Sequence, residues 1–372
     1  MGDSSYVEPE MQGHFRLNSL FGSAPTRKAI AEGRADFTPC FISEIPDLFL
    51  LGKVPLDVAM VTVTPPDNHG YCSLGISIDY TIQAARAAKI VIAQVNPEMP
   101  RTYGDTLLHV SEIDYFVPAE EPLIVLQPPT IGPVEEQIGM NAASLIEDGA
   151  TLQLGIGSIP DAILSFLHNK HDLGVHTELF SDGVRGLVEE GVINGKSKTL
   201  HPGKVVSNFI MGTPELYNWV HENAAIALYP EDYTNDPFVV AQNYRMTAIN
   251  SALEVDVLGQ VAADTLGPMQ FSGVGGQVDF IRGAARSPGG KSIIAFPATA
   301  KKGKVSRIVS VLARGSAVTT SRHDTDYIVT EYGIASMKAK TVKERMEALI
   351  NIAHPDFRAE IRHDAYRTYF SF

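Results

Sequence analysis

Between Thr151 and Gly183 the chain reads T-L-Q-L-G-I-G-S-I-P-D-A-I-L-S-F-L and then G-V-H-T-E-L-F-S-D-G. The pattern is a short apolar run, a glycine turn, a helical stretch and a second apolar run that delivers one carboxylate, Glu178. Two incompatible chemistries use such a unit. In a dinucleotide fold the glycines approach a pyrophosphate, and an acid about 20 residues on holds a ribose. In covalent catalysis the carboxylate is a nucleophile, and N–H groups of the glycine loop stabilise an oxyanion.

The rest of the sequence repeats the same alternation. Val58–Thr64 reads as a strand closed by the turn Pro65-Pro66-Asp67-Asn68-His69-Gly70. Ile78–Ala88 reads as a helix, Lys89–Val95 as a second buried strand and Ile113–Val117 as a third, with the polar loop Asn96–Asp105 at a strand end. Strands separated by helix-length segments imply parallel βαβ units. Gln127–Pro133 (Q-P-P-T-I-G-P) is the best linker candidate, so the expected domains are 1–133 and 134–372. In the second, Val134, Ile138, Ala142, Leu145 and Ile146 share one helical face that Gly149 stops, and Thr151–Leu154 begins a fresh unit. Lys204–Ile210, Ile226–Tyr229, Met246–Asn250, Val257–Ala262, Ser292–Phe296, Arg307–Val311 and Tyr327–Val329 are further strands. Thr341–Ala353 is an amphipathic helix ended by Pro355.

At 372 residues two domains are expected. The net charge of −13 disfavours nucleic acid and anionic membranes as partners. Two cysteines, Cys40 and Cys72, are too few for a disulfide framework and fit a reducing cytoplasm. No signal peptide or membrane-spanning run is legible, and Tyr6 breaks a myristoylation pattern. The histidines lack metal-ligand spacing, which gives no zinc site.

In Gly155-Ile156-Gly157-Ser158-Ile159-Pro160-Asp161, Ser158 can cap the following helix and Pro160 suits its first turn. A dinucleotide reading fails where the third glycine is Pro160, and Asp161 would oppose a pyrophosphate. A tight turn without ligand stays open, as does a surface carboxylate or salt-bridge role for Glu178. Gly273-Val274-Gly275-Gly276-Gln277 marks close backbone approach or unusual dihedrals. Lys301, Lys302, Lys304 and Arg307 form the one dense basic cluster, either a solvated face or a partner for a phosphate-bearing ligand.

Taken together, H-F-R-L-N-S-L-F, A-D-F-T-P-C-F-I-S-E-I-P, T-P-P-D-N-H-G-Y-C-S-L-G, Q-L-G-I-G-S-I-P-D-A, H-T-E-L-F-S-D-G, N-S-A-L-E-V-D, F-S-G-V-G-G-Q, K-G-K-V-S-R-I-V and V-T-E-Y-G-I-A resemble the acetyl-CoA hydrolase/transferase family, from about His14 onward. The resemblance implies two open α/β/α domains of the CoA-transferase type with the active site between them, and a homodimer. It implies transfer of CoA between a short-chain acyl-CoA and a carboxylate such as acetate, with CoA as substrate and no permanently bound cofactor. Glu178 matches the family's catalytic glutamate, carried through a glutamyl-CoA thioester. Gln153, Leu154, Gly155, Ile156 and Gly157 match its CoA and oxyanion loop. Leu253, Gly276 and Lys302 match further CoA contacts, and Asn235, Gly275 and Glu331 supporting positions. Family members start with a further β–α segment, so the first domain is expected to be shortened. A hydrolase on the same residues and a non-catalytic CoA-binding protein are the alternatives.

Overall fold

The computed structural model describes residues 4–370. Its centre is an eight-stranded sheet. In chain order the strands are β4 (Thr151–Gln153), β5 (Gly174–His176), β6 (Val205–Ser207), β7 (Ile226–Leu228), β8 (Met246–Asn250), β9 (Lys291–Ala295), β10 (Tyr327–Thr330) and β11 (Gly333–Ser336). They lie in the order β7-β6-β5-β4-β8-β9-β10-β11, all parallel except β11, which returns antiparallel to β10. A smaller parallel sheet precedes it: β1 (Val58–Val63), β2 (Ile90–Val95) and β3 (Tyr115–Pro118), side by side in that order.

The strand order reverses at β4. Strands β4 to β7 step away in one direction, and β8 to β11 step away in the other from the opposite edge of β4. In open parallel sheets a crevice forms outside the carboxyl ends at such a switch point. Both faces of the sheet are covered, which is why β4, β5, β6 and β7 are buried along their whole lengths. One apolar core runs unbroken from Val61 and Ala93 of the small sheet through Ile138, Leu152 and Val175, while a second gathers Val255, Ile294, Phe296, Ile328 and Leu349.

The helices used below are α1 (Thr81–Ala87), α2 (Pro133–Ala143), α3 (Ser158–Leu164), α4 (Asp182–Glu189), α5 (Gln277–Arg286), α6 (Val342–Ile352) and α7 (Pro355–Tyr369). Helix α2 packs closely on α3 because Gly139 has no side chain; a Cβ there would meet the Ala162 carbonyl at 2.8 Å.

Several boundaries differ from the sequence reading for local physical reasons. Helix α1 starts at Thr81 rather than Ile78, because Asp79 turns at φ +31° and its Oδ1 accepts the Thr81 N–H at 2.8 Å. The run Lys204–Ile210 breaks after Ser207, whose hydroxyl donates to Glu178 O at 2.7 Å; Phe209–Ile210 then pairs with Leu179–Phe180. Ser158 does not cap α3. Gly157 occupies the cap position at φ +115°, with no side-chain bond to the helix. Pro355 ends α6 and also opens α7, at a first-turn position where a missing N–H costs nothing.

Candidate active site

Glu178 stands two residues beyond β5, at the carboxyl edge of the large sheet. Its backbone is tightly fixed: the carbonyl accepts from Asn208 N at 3.1 Å, Phe209 N at 2.9 Å and the Ser207 hydroxyl. Its side chain is half-buried, and Oε2 accepts from Asn235 Nδ2 at 3.1 Å. Asn235 Oδ1 accepts in turn from Asn208 Nδ2 at 2.9 Å, so the orientation of the Asn235 amide is determined by its partner. Gly276, the residue before α5, completes the seat. A Cβ on it would collide with Glu178 Oε2.

The preceding residues hold this seat in place. Thr177 Oγ1 accepts from Leu154 N at 3.2 Å and lies 2.8 Å from Leu154 O, tying the end of β4 to the end of β5. His176 is fully buried with Nε2 2.8 Å from Thr234 O; burial lowers its pKa to about 3, so the neutral ring donates to that carbonyl and anchors the segment carrying Asn235.

The electrostatic setting is acidic. Burial pushes the Glu178 carboxyl above its ordinary range, the Asn235 amide and the Gly276 N–H pull it down, and the charge of Asp79 adds to the rise. Glu231, 2% exposed, is raised well above the usual value, first by burial and then by Asp79 and Glu178; its Oε2 has no partner among the described residues. Asp279, in the first turn of α5, is pushed up to about 7 chiefly by burial, although Ser43 N donates to it at 3.2 Å. A carboxylate surrounded by such groups is poorly solvated and gains by losing its charge.

Glu178 faces a cavity of about 360 Å³. One wall is Gln153, Leu154, Gly155 and Ile156 from the end of β4; another is Asn250 to Leu253 from the end of β8; a third is Ser272 to Gln277. These are the two strands flanking the switch point, so the cavity occupies the crevice that the topology creates. Gln153 and Asn250 join the two ends, with Asn250 Nδ2 donating to Gln153 Oε1 at 3.0 Å. The N–H groups of Gly155 and Ile156 make no hydrogen bond among the described residues, and both residues line the cavity.

Of the residues singled out in the sequence, Glu178, Gln153, Leu154, Gly155, Ile156, Leu253, Gly275 and Gly276 share this cavity. Asn235 lies behind Glu178 as its donor. Gly157 is one step past the wall, lining a neighbouring cavity. Lys302 stands exposed at φ +58° on the turn between Thr299–Ala300 and Val305–Ser306, off this wall. Glu331 follows β10 directly and accepts from Ala298 N at 2.9 Å, also off the wall. Arg307, from the same basic run as Lys302, does line the cavity, half-buried, with Nη1 3.3 Å from Ala252 O.

Asp79, Asn208, Glu231 and Asp279 belong to the site and were not legible. Asn208 alone carried a usable signal: it follows β6 as Thr177 and Glu178 follow β5, at the edge where parallel sheets place ligands. Among the described residues no group of three or more His, Cys, Asp or Glu is placed to hold a metal ion. No helix among them is long and apolar enough to cross a membrane.

Comparison with known proteins gives a consistent result. The acetyl-CoA hydrolase/transferase N-terminal domain matches residues 1–127, and the C-terminal domain of the same family matches residues 212–365. The 4-hydroxybutyrate coenzyme A transferase of Clostridium kluyveri is 58% identical over 364 residues, spanning 98% of this chain and 85% of that protein. The succinyl-CoA:cyclohexane-1-carboxylate CoA transferase of Geobacter metallireducens is 45% identical over 362 residues, 97% of this chain and 83% of that one. The crystal structure of RipA from Yersinia pestis superposes with a TM-score of 0.92 at 38% identity, covering 98% of this chain and 84% of that chain. The stretch bearing Glu178 falls between the two matched domains and within the full-length similarities.

Proposed function

The chain belongs to the acetyl-CoA hydrolase/transferase family, and we propose that it moves CoA between a short-chain acyl-CoA and a carboxylate acceptor such as acetate, with Glu178 as the nucleophile. The observation that carries this reading is the placement of one half-buried carboxylate, oriented by a single amide, in a cavity shared with two unengaged backbone N–H groups.

Glu178 attacks the thioester carbonyl, and the resulting oxyanion lies against the N–H groups of Gly155 and Ile156. Such a donor is typically worth about 3–4 kcal/mol in the transition state. The C–S bond breaks, CoA leaves as thiolate and an acyl-glutamyl anhydride remains. The thiolate then attacks the glutamyl carbonyl and expels the free carboxylate, leaving a glutamyl-CoA thioester. An acceptor carboxylate runs the same steps in reverse, which gives ping-pong kinetics.

The acidic surroundings favour this chemistry. Each covalent intermediate removes the negative charge of Glu178 from a site where burial and Asp79 disfavour it. The relatives support a transferase through their names, which describe CoA exchange between thioesters and acids.

The test is exchange of label between butyryl-CoA and acetate, with free thiol followed in parallel. Acetate-dependent exchange is expected, and hydroxylamine should trap the thioester at Glu178. Label at another residue, or undiminished exchange by Glu178→Ala, overturns the assignment.

A further inference from the structure

Three cavities meet the glycine turn, one of them, about 310 Å³, running along Gly155 to Pro160 and Asn250; the other two are separated by Ile156. Of these two, one holds Glu178; the other, about 480 Å³, lies across Ile156, which lines both. Its outer wall is Leu126, Pro128, Pro129 and Ile131 from the segment joining β3 to α2, and among the described residues no lysine or arginine lines it. Two acids do, Asp161 and Asp182. Asp182 is engaged on both oxygens, by Thr213 N at 3.0 Å and the Thr213 hydroxyl at 2.5 Å. Asp161 is half-buried and accepts only from the Ser181 hydroxyl, at 3.4 Å on Oδ1; Oδ2 has no partner among the described residues. Ser181 is three residues from Glu178, so roughly 11 Å of chain at most separates their Cα atoms, the reach of a short acyl chain and its end group.

We propose that this second cavity receives the acyl group, and that Asp161 selects chains ending in a hydrogen-bond donor, such as a terminal hydroxyl, over chains ending in a carboxylate. The inference rests on the reading of Glu178 as nucleophile with CoA on its own side of Ile156. The acyl and sulfur substituents of a thioester carbonyl held at Glu178 diverge, so with CoA in the first cavity the acyl chain is directed elsewhere, and the apolar space across Ile156 is the second cavity. Apolar walls suit a chain of a few methylenes. A hydroxyl at its end satisfies Asp161 Oδ2, whereas a carboxylate there faces two acids and no cation. The same aspartate is the residue that makes the turn a poor pyrophosphate cradle.

The experiment measures binding with the chemistry blocked. In Glu178→Ala protein, calorimetry gives dissociation constants for CoA, butyryl-CoA, 4-hydroxybutyryl-CoA and succinyl-CoA, before and after adding Asp161→Asn or Asp161→Leu. The 4-hydroxybutyryl thioester is expected to bind about ten-fold more tightly than the succinyl one. Asp161→Asn should bring succinyl-CoA close to butyryl-CoA, and Asp161→Leu should make butyryl-CoA the tightest ligand. Unchanged CoA affinity shows that each variant is folded. An order of affinities that ignores both substitutions overturns the role of Asp161, and failure of the parent to bind CoA at all overturns the transferase reading with it.

Discussion

Replacing Gly276 by alanine isolates the geometry of Glu178 from the stability of the fold. The backbone there has φ −81° and ψ 0°, open to any L-residue, so alanine brings no dihedral strain. The added Cβ would collide with Glu178 Oε2 and lie 2.6 Å from Asn235 Nδ2 and 3.1 Å from Phe280 Cδ2. Relaxed non-bonded contacts lie near ~3.5 Å, so the carboxylate and its amide donor must each retreat by about 1 Å. A misplacement of that size costs about 100-fold in rate, or about 2.7 kcal/mol of barrier. Alanine for glycine at a helix cap changes stability by less than about 1 kcal/mol. We therefore expect kcat for acyl exchange to fall about 100-fold with little change in Tm. Gly275→Ala is the paired control. Gly275 sits at φ +58°, where a side chain costs about 1–2 kcal/mol, yet its Cβ would meet only Phe21 Cε2 at an ordinary 3.5 Å. That variant should lose stability and keep kcat within a few-fold. Gly276→Ala with more than half the parental kcat, or Gly275→Ala losing as much, would show that the seat of Glu178 does not depend on the missing side chain at Gly276.

Asn235→Ala removes one of the two groups that hold the Glu178 pKa down; kcat near neutrality should fall about ten-fold, and the acid limb of the pH–rate profile should move to higher pH. Asp279 keeps its proton to about pH 7 when folded against 3.8 otherwise, so its burial costs stability increasingly as pH rises between those values. Asp279→Asn should accordingly be more stable than the parent at pH 8, by up to about 4 kcal/mol. The advantage should fall to about 1.6 kcal/mol by pH 5 in denaturant titrations; a constant gap would contradict the assignment. Thr177→Val leaves the buried Leu154 N–H without its acceptor and should cost about 1–3 kcal/mol of unfolding free energy, together with lost activity as the glycine turn loosens.

How much of this was readable in one dimension varied with the range of the interaction. The alternation of apolar runs and helical stretches identified the large parallel sheet, and the strand ends flanking Gly155 and Glu178 lie within a residue or two of expectation. Glycine turns were visible because their dihedrals are local: Gly157 at +115° and Gly275 at +58° are conformations that other residues rarely adopt. Breaks caused by side-chain bonds across the fold were not visible. Nothing local in K-V-V-S-N-F-I says that Ser207 will turn toward Glu178 O and end the strand there. Nor does the sequence spacing of Lys302 and Arg307 say which of them lines the cavity, since that depends on how the hairpin turns.

From the sequence alone came an α/β fold, a glycine turn, a strand-end glutamate and, through several matched segments, a family. Each of these rests on periodicity, backbone preference or identity, which are properties of short stretches. Packing across the whole sheet, and nothing local, lays β4 against β8, bringing residues 153–156 and 250–253 to opposite sides of one cavity. Tertiary packing alone gathered Asp79, Glu231 and Asp279 around Glu178, and opened a second cavity beyond Ile156. Strand order follows from how the crossovers pack over both faces of the sheet. That is a global minimum of burial, to which each strand contributes and which none of them specifies.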